Sequence, residues 1–241
     1  MTGVLNVLKL FYKPSTEDLE NLIEYKLIPG KMKGYNSMNE TIDLPPKEIQ
    51  PPIFQVEFNG IQMYAVTVYF KHPHLLCNPL PLPDSQTGKG LYIQNGTSPE
   101  KDFIQIPLES KDLTSIWKPS SCVPGMGLHY FRNLSRSLPC EKIFPVFLMY
   151  DSEGKLSAFG WAFQGKPMNL APIKWFHLVP KIYPFIFDTK KLPSCMFHPK
   201  FSVFGLHIWL RDPQSELLKC KIIQPQKKTT PAVPWHKKMN E

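Results

Sequence analysis

Apolar positions recur with period two along several short stretches of this chain and with a helical period along one. Near the start, Ser15 is placed to cap and Asp18 follows three residues later. Leu19, Leu22, Ile23 and Leu27 then fall at i, i+3, i+4 and i+8, which predicts a helix ending before Pro29-Gly30. Residues 31–52 are polar and punctuated by Pro45, Pro46, Pro51 and Pro52, and read as an extended connection. The clearest hairpin follows, IFQVEF at 53–58 and IQMYAVTVYF at 61–70, joined by Asn59-Gly60, a pair that supplies the positive φ angles of a tight turn. Alternation puts Phe54, Val56 and Phe58 on one face of its first arm and Gln55 and Glu57 on the other.

Residues 72–90 are crowded with proline and turn formers and read as a long surface loop. LYIQ and FIQIPL then flank a second Asn-Gly turn, at Asn95-Gly96. IFPVFLMY at 143–150, a turn at 151–154 and KLSAFGWAF at 155–163 make a further hairpin, and the wholly apolar first arm predicts a strand buried on both faces. KIYPFIF at 181–187 and FSVFGLHIWL at 201–210 are strand candidates, followed by KCKII at 219–223 and a basic tail without periodicity. Many short strands joined by proline and glycine turns predict a mainly β fold, an antiparallel β-sandwich or barrel with one short N-terminal helix. The expected division is an N-terminal segment over 1–50, one β domain over 51–224 and a disordered tail over 225–241.

Composition supports this reading. The chain carries 26 prolines in 241 residues, which opposes long helices and central strands through those points. With 42% hydrophobic and 12% aromatic residues it has apolar surface enough for a core. The net charge of +8 is scattered among short clusters such as Lys31/Lys33, Lys190/Lys191 and the tail lysines, with no basic helix, so nucleic acid is not an expected partner. No apolar run approaches the ~20 residues of a membrane span. Residues 1–11 are apolar but lack a basic start and a small-residue cleavage site, so they read poorly as a secretory leader.

Three N-x-S/T sequons, at Asn39, Asn95 and Asn133, and five cysteines without a CxxC pair point instead to an extracellular protein whose leader is absent from this chain; a cytoplasmic protein with reduced cysteines is the alternative. Of the many pairings open, Cys122 with Cys140 is preferred because the two flank one proline-rich loop, which leaves Cys220 as the odd thiol.

The segment SCVPGMGLHY at 121–130 carries the most distinctive chemistry. Two glycines around Met126 permit a backbone path closed to other residues, and His129 enters a strand directly after. Thioether and imidazole suit copper and imidazole suits zinc, so Met126, His129 and His207 form a candidate metal site, with His72, His74, His177 and His198 as further options. There is no G-x-S-x-G elbow, P-loop or HExxH. A Cys122–His129 couple lacks an evident orienting group, and the acidic residues are scattered through turns. Trp117, Trp161, Trp175 and Trp209 are candidates for stacking on sugars, although such residues also anchor cores.

C-x-P-G-M-G-x-H-Y at 122–130, P-V-F-L-x-Y at 145–150, G-K-L-x-A-F-G-W at 154–161, P-S-C at 193–195 and H-x-W at 207–209 together resemble a group of poorly characterised secreted animal proteins. The resemblance spans residues 120–210 and is most specific at Met126, Gly127 and His129. It implies secretion and disulfides, and it assigns no substrate or catalytic residue. The expected function is a secreted, glycosylated, non-enzymatic β domain that binds a ligand or partner. The alternatives are a metal-dependent or hydrolytic enzyme centred on His129 and a carbohydrate-binding module.

Overall fold

The structure is a computed structural model that describes residues 7–12, 27–28, 32–35, 41–44, 51–58, 61–75, 90–164, 177–178, 190–199 and 201–220. Its strands in chain order are β1 (Val7–Tyr12), β2 (Leu27–Ile28), β3 (Met32–Tyr35), β4 (Thr41–Leu44), β5 (Phe54–Phe58), β6 (Ile61–Tyr69) and β7 (Leu91–Gln94). They continue with β8 (Phe103–Ile106), β9 (Trp117–Val123), β10 (Gly127–Arg132), β11 (Val146–Tyr150), β12 (Leu156–Gln164), β13 (His177–Leu178) and β14 (Val203–Trp209). The expected mainly β fold is present: one six-stranded sheet runs β2-β1-β6-β7-β8 with β5 also paired to β6, and a second runs β13-β14-β12-β11-β10-β9. All pairings are antiparallel except β1 with β2.

The two sheets face each other across one apolar core. Val66, Val68, Phe70, Leu91, Ile93 and Ile106 come from the first sheet, and Val146, Leu148, Tyr150, Phe159, Trp161 and Leu206 from the second. β11 is buried along its whole length, as its unbroken apolar run predicts: Val146, Leu148 and Tyr150 point inward, while Phe147 and Met149 build a smaller cluster on the outer face with Ala158. The Tyr150 hydroxyl donates to the Pro107 carbonyl at 2.7 Å, so the one polar atom of this inward row has a partner.

Both Asn-Gly hairpins form. Phe58 pairs with Ile61 across Asn59-Gly60, which themselves lie outside the described residues, and Gln94 pairs with Phe103 across the second turn. Asp151 closes the β11–β12 turn: its buried carboxylate accepts from the backbone of Glu153 and Lys155 at 3.0 and 2.9 Å and from Arg211 at 3.2 Å.

Several expectations are corrected. The expected helix falls mostly outside the described residues, and its last positions, Leu27 and Ile28, are a strand parallel to β1. Residues 7–12 enter the first sheet as β1, so pairing of β1 with β6 crosses the expected boundary at residue 50. The supposed extended connection contains the β3–β4 hairpin. Lys219 and Cys220 follow a 3-10 turn at Glu216–Leu218 and join no strand. Cys122 is bonded to Cys220 and Cys140 to Cys195, with Cα separations of 5.7 and 6.1 Å. The preferred Cys122–Cys140 pair fails because β10 carries the chain from the row of Cys122 to its other end before Cys140 is reached. Cys140 there joins Cys195, Leu192 and Phe201 in a satellite core. Cys77, the 181–187 segment and the basic tail lie outside the described residues.

Candidate functional site on the outer face of the second sheet

The Gly-Met-Gly segment is the hairpin turn between β9 and β10. Gly125 and Gly127 take φ of +79° and +85°, and the Met126 amide donates to the Val123 carbonyl at 2.9 Å. At Gly127 any Cβ would run into the Tyr150 carbonyl, so the second glycine is needed for space as well as for its positive φ. The C-terminal segment docks against this turn: Gly125 donates to the Leu218 carbonyl at 3.2 Å, Ser152 to that of Leu217 at 2.9 Å, and Cys220 is bonded to Cys122. Pro124 and Gly125 are exposed, and Met126 leans on the Phe147/Met149/Ala158 cluster.

His129 sits on β10 opposite a two-residue bulge of β9, because Leu128 pairs with Cys122 while Tyr130 pairs with Pro119. Its ring is buried, with 4% of the residue exposed, and lies near-parallel to Phe131 and Phe147 at 6.4 and 5.8 Å. Nδ1–H donates to the Gly127 carbonyl at 3.2 Å. Burial lowers its pKa from 6.5 to about 4, against a smaller upward pull from that hydrogen bond, so the imidazole is neutral at physiological pH.

His207, on β14, belongs to the same face. Phe147 of β11 reaches it at 5.0 Å by lying over Gly160 of β12, where a Cβ would collide with the Phe147 ring and the Leu206 carbonyl. His207 in turn stacks on Trp209, with centroids 6.2 Å apart and planes 19° apart. Five rings, Phe131, His129, Phe147, His207 and Trp209, thus form one continuous array across the sheet, with Phe131, His207 and Trp209 half-buried.

The expected metal site is not assembled by this array. β11 and β12 stand between β10 and β14, which sets the strand backbones that carry the two histidines about 14 Å apart. The Phe147 ring, in contact with both imidazoles, occupies the space between them. Shared zinc or copper ligation needs both nitrogens ~2 Å from one ion. Among the described residues, no group of three or more His, Cys, Asp or Glu is placed to hold a metal. His72 and His74 lie elsewhere: His72 packs edge-on against Tyr92 and Phe103 at 5.2 and 5.0 Å and accepts the His74 amide. His198 ends the 3-10 turn at Ser194–Phe197. Cys122 is oxidised and unavailable as a nucleophile. Trp117 and Trp161 are core residues, Trp209 is on the array, and Trp175 lies outside the described residues.

A concavity of about 560 Å³ opens where the chain leaves β8 and crosses to β12. It is lined by Gln105, Pro107, Leu108, Glu109, Lys111 and Asp112. Glu109 and Lys111 pair there at 2.6 Å, and this holds the Glu109 carboxyl below and the Lys111 ammonium above their ordinary values. Sequence reasoning missed this cleft, since neither Pro107 after β8 nor the mixed charges at 109–112 announce one. No helix among the described residues is long and apolar enough to cross a membrane. Comparisons with known protein families, with curated proteins and with solved structures find no match for the chain.

Proposed function

We propose that the protein is a secreted, glycosylated, non-enzymatic β-sandwich that binds a neutral ligand through the ring array on the outer face of its second sheet. The observation that carries this reading is the half-buried His207–Trp209 stack, held on a strand paired to β12, whose buried Gly160 seats the Phe147 ring. Rigid, partly accessible aromatic rings offer contact area at low conformational cost. The two disulfides, which tie residues 98 and 55 apart in sequence, favour an oxidising compartment and hence secretion. The low basicity of His129 fits a packing role within the array better than proton transfer.

Sugars are the favoured ligand class, because an indole face set beside an imidazole matches the apolar face and polar rim of a pyranose. Oligosaccharide-array binding by the secreted protein, beside Trp209→Ala and His207→Ala, tests this. The expected result is retention of selected neutral oligosaccharides that falls at least tenfold in the Trp209 variant. Absence of retention, or retention unchanged in both variants, contradicts it.

A further inference from the structure

Asn133 is the residue immediately after β10, and it alone among the described non-glycine residues has a positive φ, of 56°. That left-handed conformation suits asparagine and glycine above other residues. Its backbone N–H donates to the Ile116 carbonyl at 2.7 Å, which fixes the position, while the side chain is exposed. It opens the sequon Asn133-Leu134-Ser135, and Leu134 turns back to pack on the Cys140/Cys195 cluster, so the asparagine is left at the outside of the bend.

The Asn95 sequon is placed differently. Asn95 is half-buried and its backbone N–H donates to the Asp102 backbone carbonyl at 2.8 Å. The Asp102 side chain fills the space where Gly96 lacks a Cβ, and the Gln94 amide donates to the Gly96 carbonyl at 3.0 Å. That turn is closed upon itself, whereas the Asn133 bend projects its side chain. Asn39 lies outside the described residues.

We infer that Asn133 carries an N-linked glycan, an inference that rests on the extracellular reading above and adds to it the residue modified. In the transfer step the Asn133 amide nitrogen attacks the anomeric carbon of a polyprenyl-pyrophosphate-linked oligosaccharide. A nitrogen–carbon bond forms, the carbon–oxygen bond to pyrophosphate breaks, the lipid pyrophosphate leaves with the bonding pair, and the nitrogen gives up one proton; nothing is oxidised or reduced. The glycan then stands beside the start of β9, the terminal strand in the order of the second sheet. There it adds bulk to an edge already guarded by Lys118, Pro119 and a bulge.

The test is site mapping on the full chain secreted from animal cells behind a supplied leader, with the glycan removed enzymatically in heavy-oxygen water. Asn133 is expected to be recovered as labelled Asp. Asn133→Gly, which suits the positive φ, and Ser135→Ala are expected to be secreted lighter by one glycan. Ser135→Thr is expected to keep the glycan, and Asn95→Gln to leave the Asn133 label unchanged. Secreted protein with oxidised cysteines but an unlabelled Asn133, or a mass unchanged by Asn133→Gly, overturns the inference and leaves the extracellular reading standing. Retention inside the cell with reduced cysteines overturns that reading and the inference with it.

Discussion

Two glycines and one histidine decide the geometry of the outer face. Gly160 lets the Phe147 ring cross β12 to His207, and Gly127 lets the hairpin turn meet the Tyr150 carbonyl. Either residue changed to alanine must displace backbone atoms, so a loss of about 3 kcal/mol is expected for each in chemical denaturation. A loss below about 0.5 kcal/mol would mean that the sheet relaxes around a methyl group.

His129 makes a separate prediction at the same scale. The unfolded chain takes up a proton at this residue near pH 6.5 and the folded chain only near 4. Between those values the unfolded state binds more protons, so stability from this residue is complete above 6.5 and lost as pH falls toward 4, by about 3 kcal/mol in all. Comparing denaturation at pH 7.5 and 4.5, the acid loss is expected to be smaller in His129→Phe than in the parent chain. Equal losses in the two proteins would show that the ring is not desolvated in the folded state.

At the scale of elements, the strands most legible in the sequence were those whose burial is simplest. The run PVFLMY forms β11 with both faces covered, and Asn59-Gly60 sets β5 against β6. β1 is not legible locally, because the apolar stretch at residues 1–11 reads as a poor secretory leader and its pairing with distant β6 leaves no local mark in the sequence. β9 was missed because Lys-Pro-Ser-Ser reads as a loop; proline is tolerated there since β9 lies at the end of its sheet and bulges opposite His129. His129 and His207 were legible as strand-borne residues, but their expected meeting at one metal was not. Two intervening strands and a phenylalanine ring lie between them, and strand order is set by long-range pairing.

Asp151 is the clearest element-level test. Arg211→Ala removes the side-chain partner of a buried carboxylate that keeps two backbone donors. Because Arg211 is 40% exposed at its side chain, solvent screens the pair and the expected cost is only about 1 kcal/mol, read as a shifted denaturation midpoint. Asp151→Ala is expected to cost more, since it also frees the Glu153 and Lys155 amides that hold the β11–β12 turn. The reverse order would place the strength of this corner in the ion pair.

For the whole molecule, the disulfides join parts that the sheets alone leave apart. Cys122–Cys220 pins the C-terminal segment to the Gly-Met-Gly turn, and Cys140–Cys195 ties the crossover after β10 to the segment leading into β14. The cysteine count made a disulfide framework legible, whereas the pairing depended on which strand ends meet, which spacing does not encode. Replacing Cys140 and Cys195 together by alanine is expected to cost about 4 kcal/mol, by release of a long loop in the unfolded chain and loss of the satellite core.

The extracellular reading, the binding face and the glycan all depend on this oxidised framework, so the most direct measurement is a disulfide map of the natively expressed protein by mass spectrometry without reduction. The account predicts peptides linked through Cys122–Cys220 and Cys140–Cys195. Free thiols at those four residues, or a Cys122–Cys140 link, would contradict it.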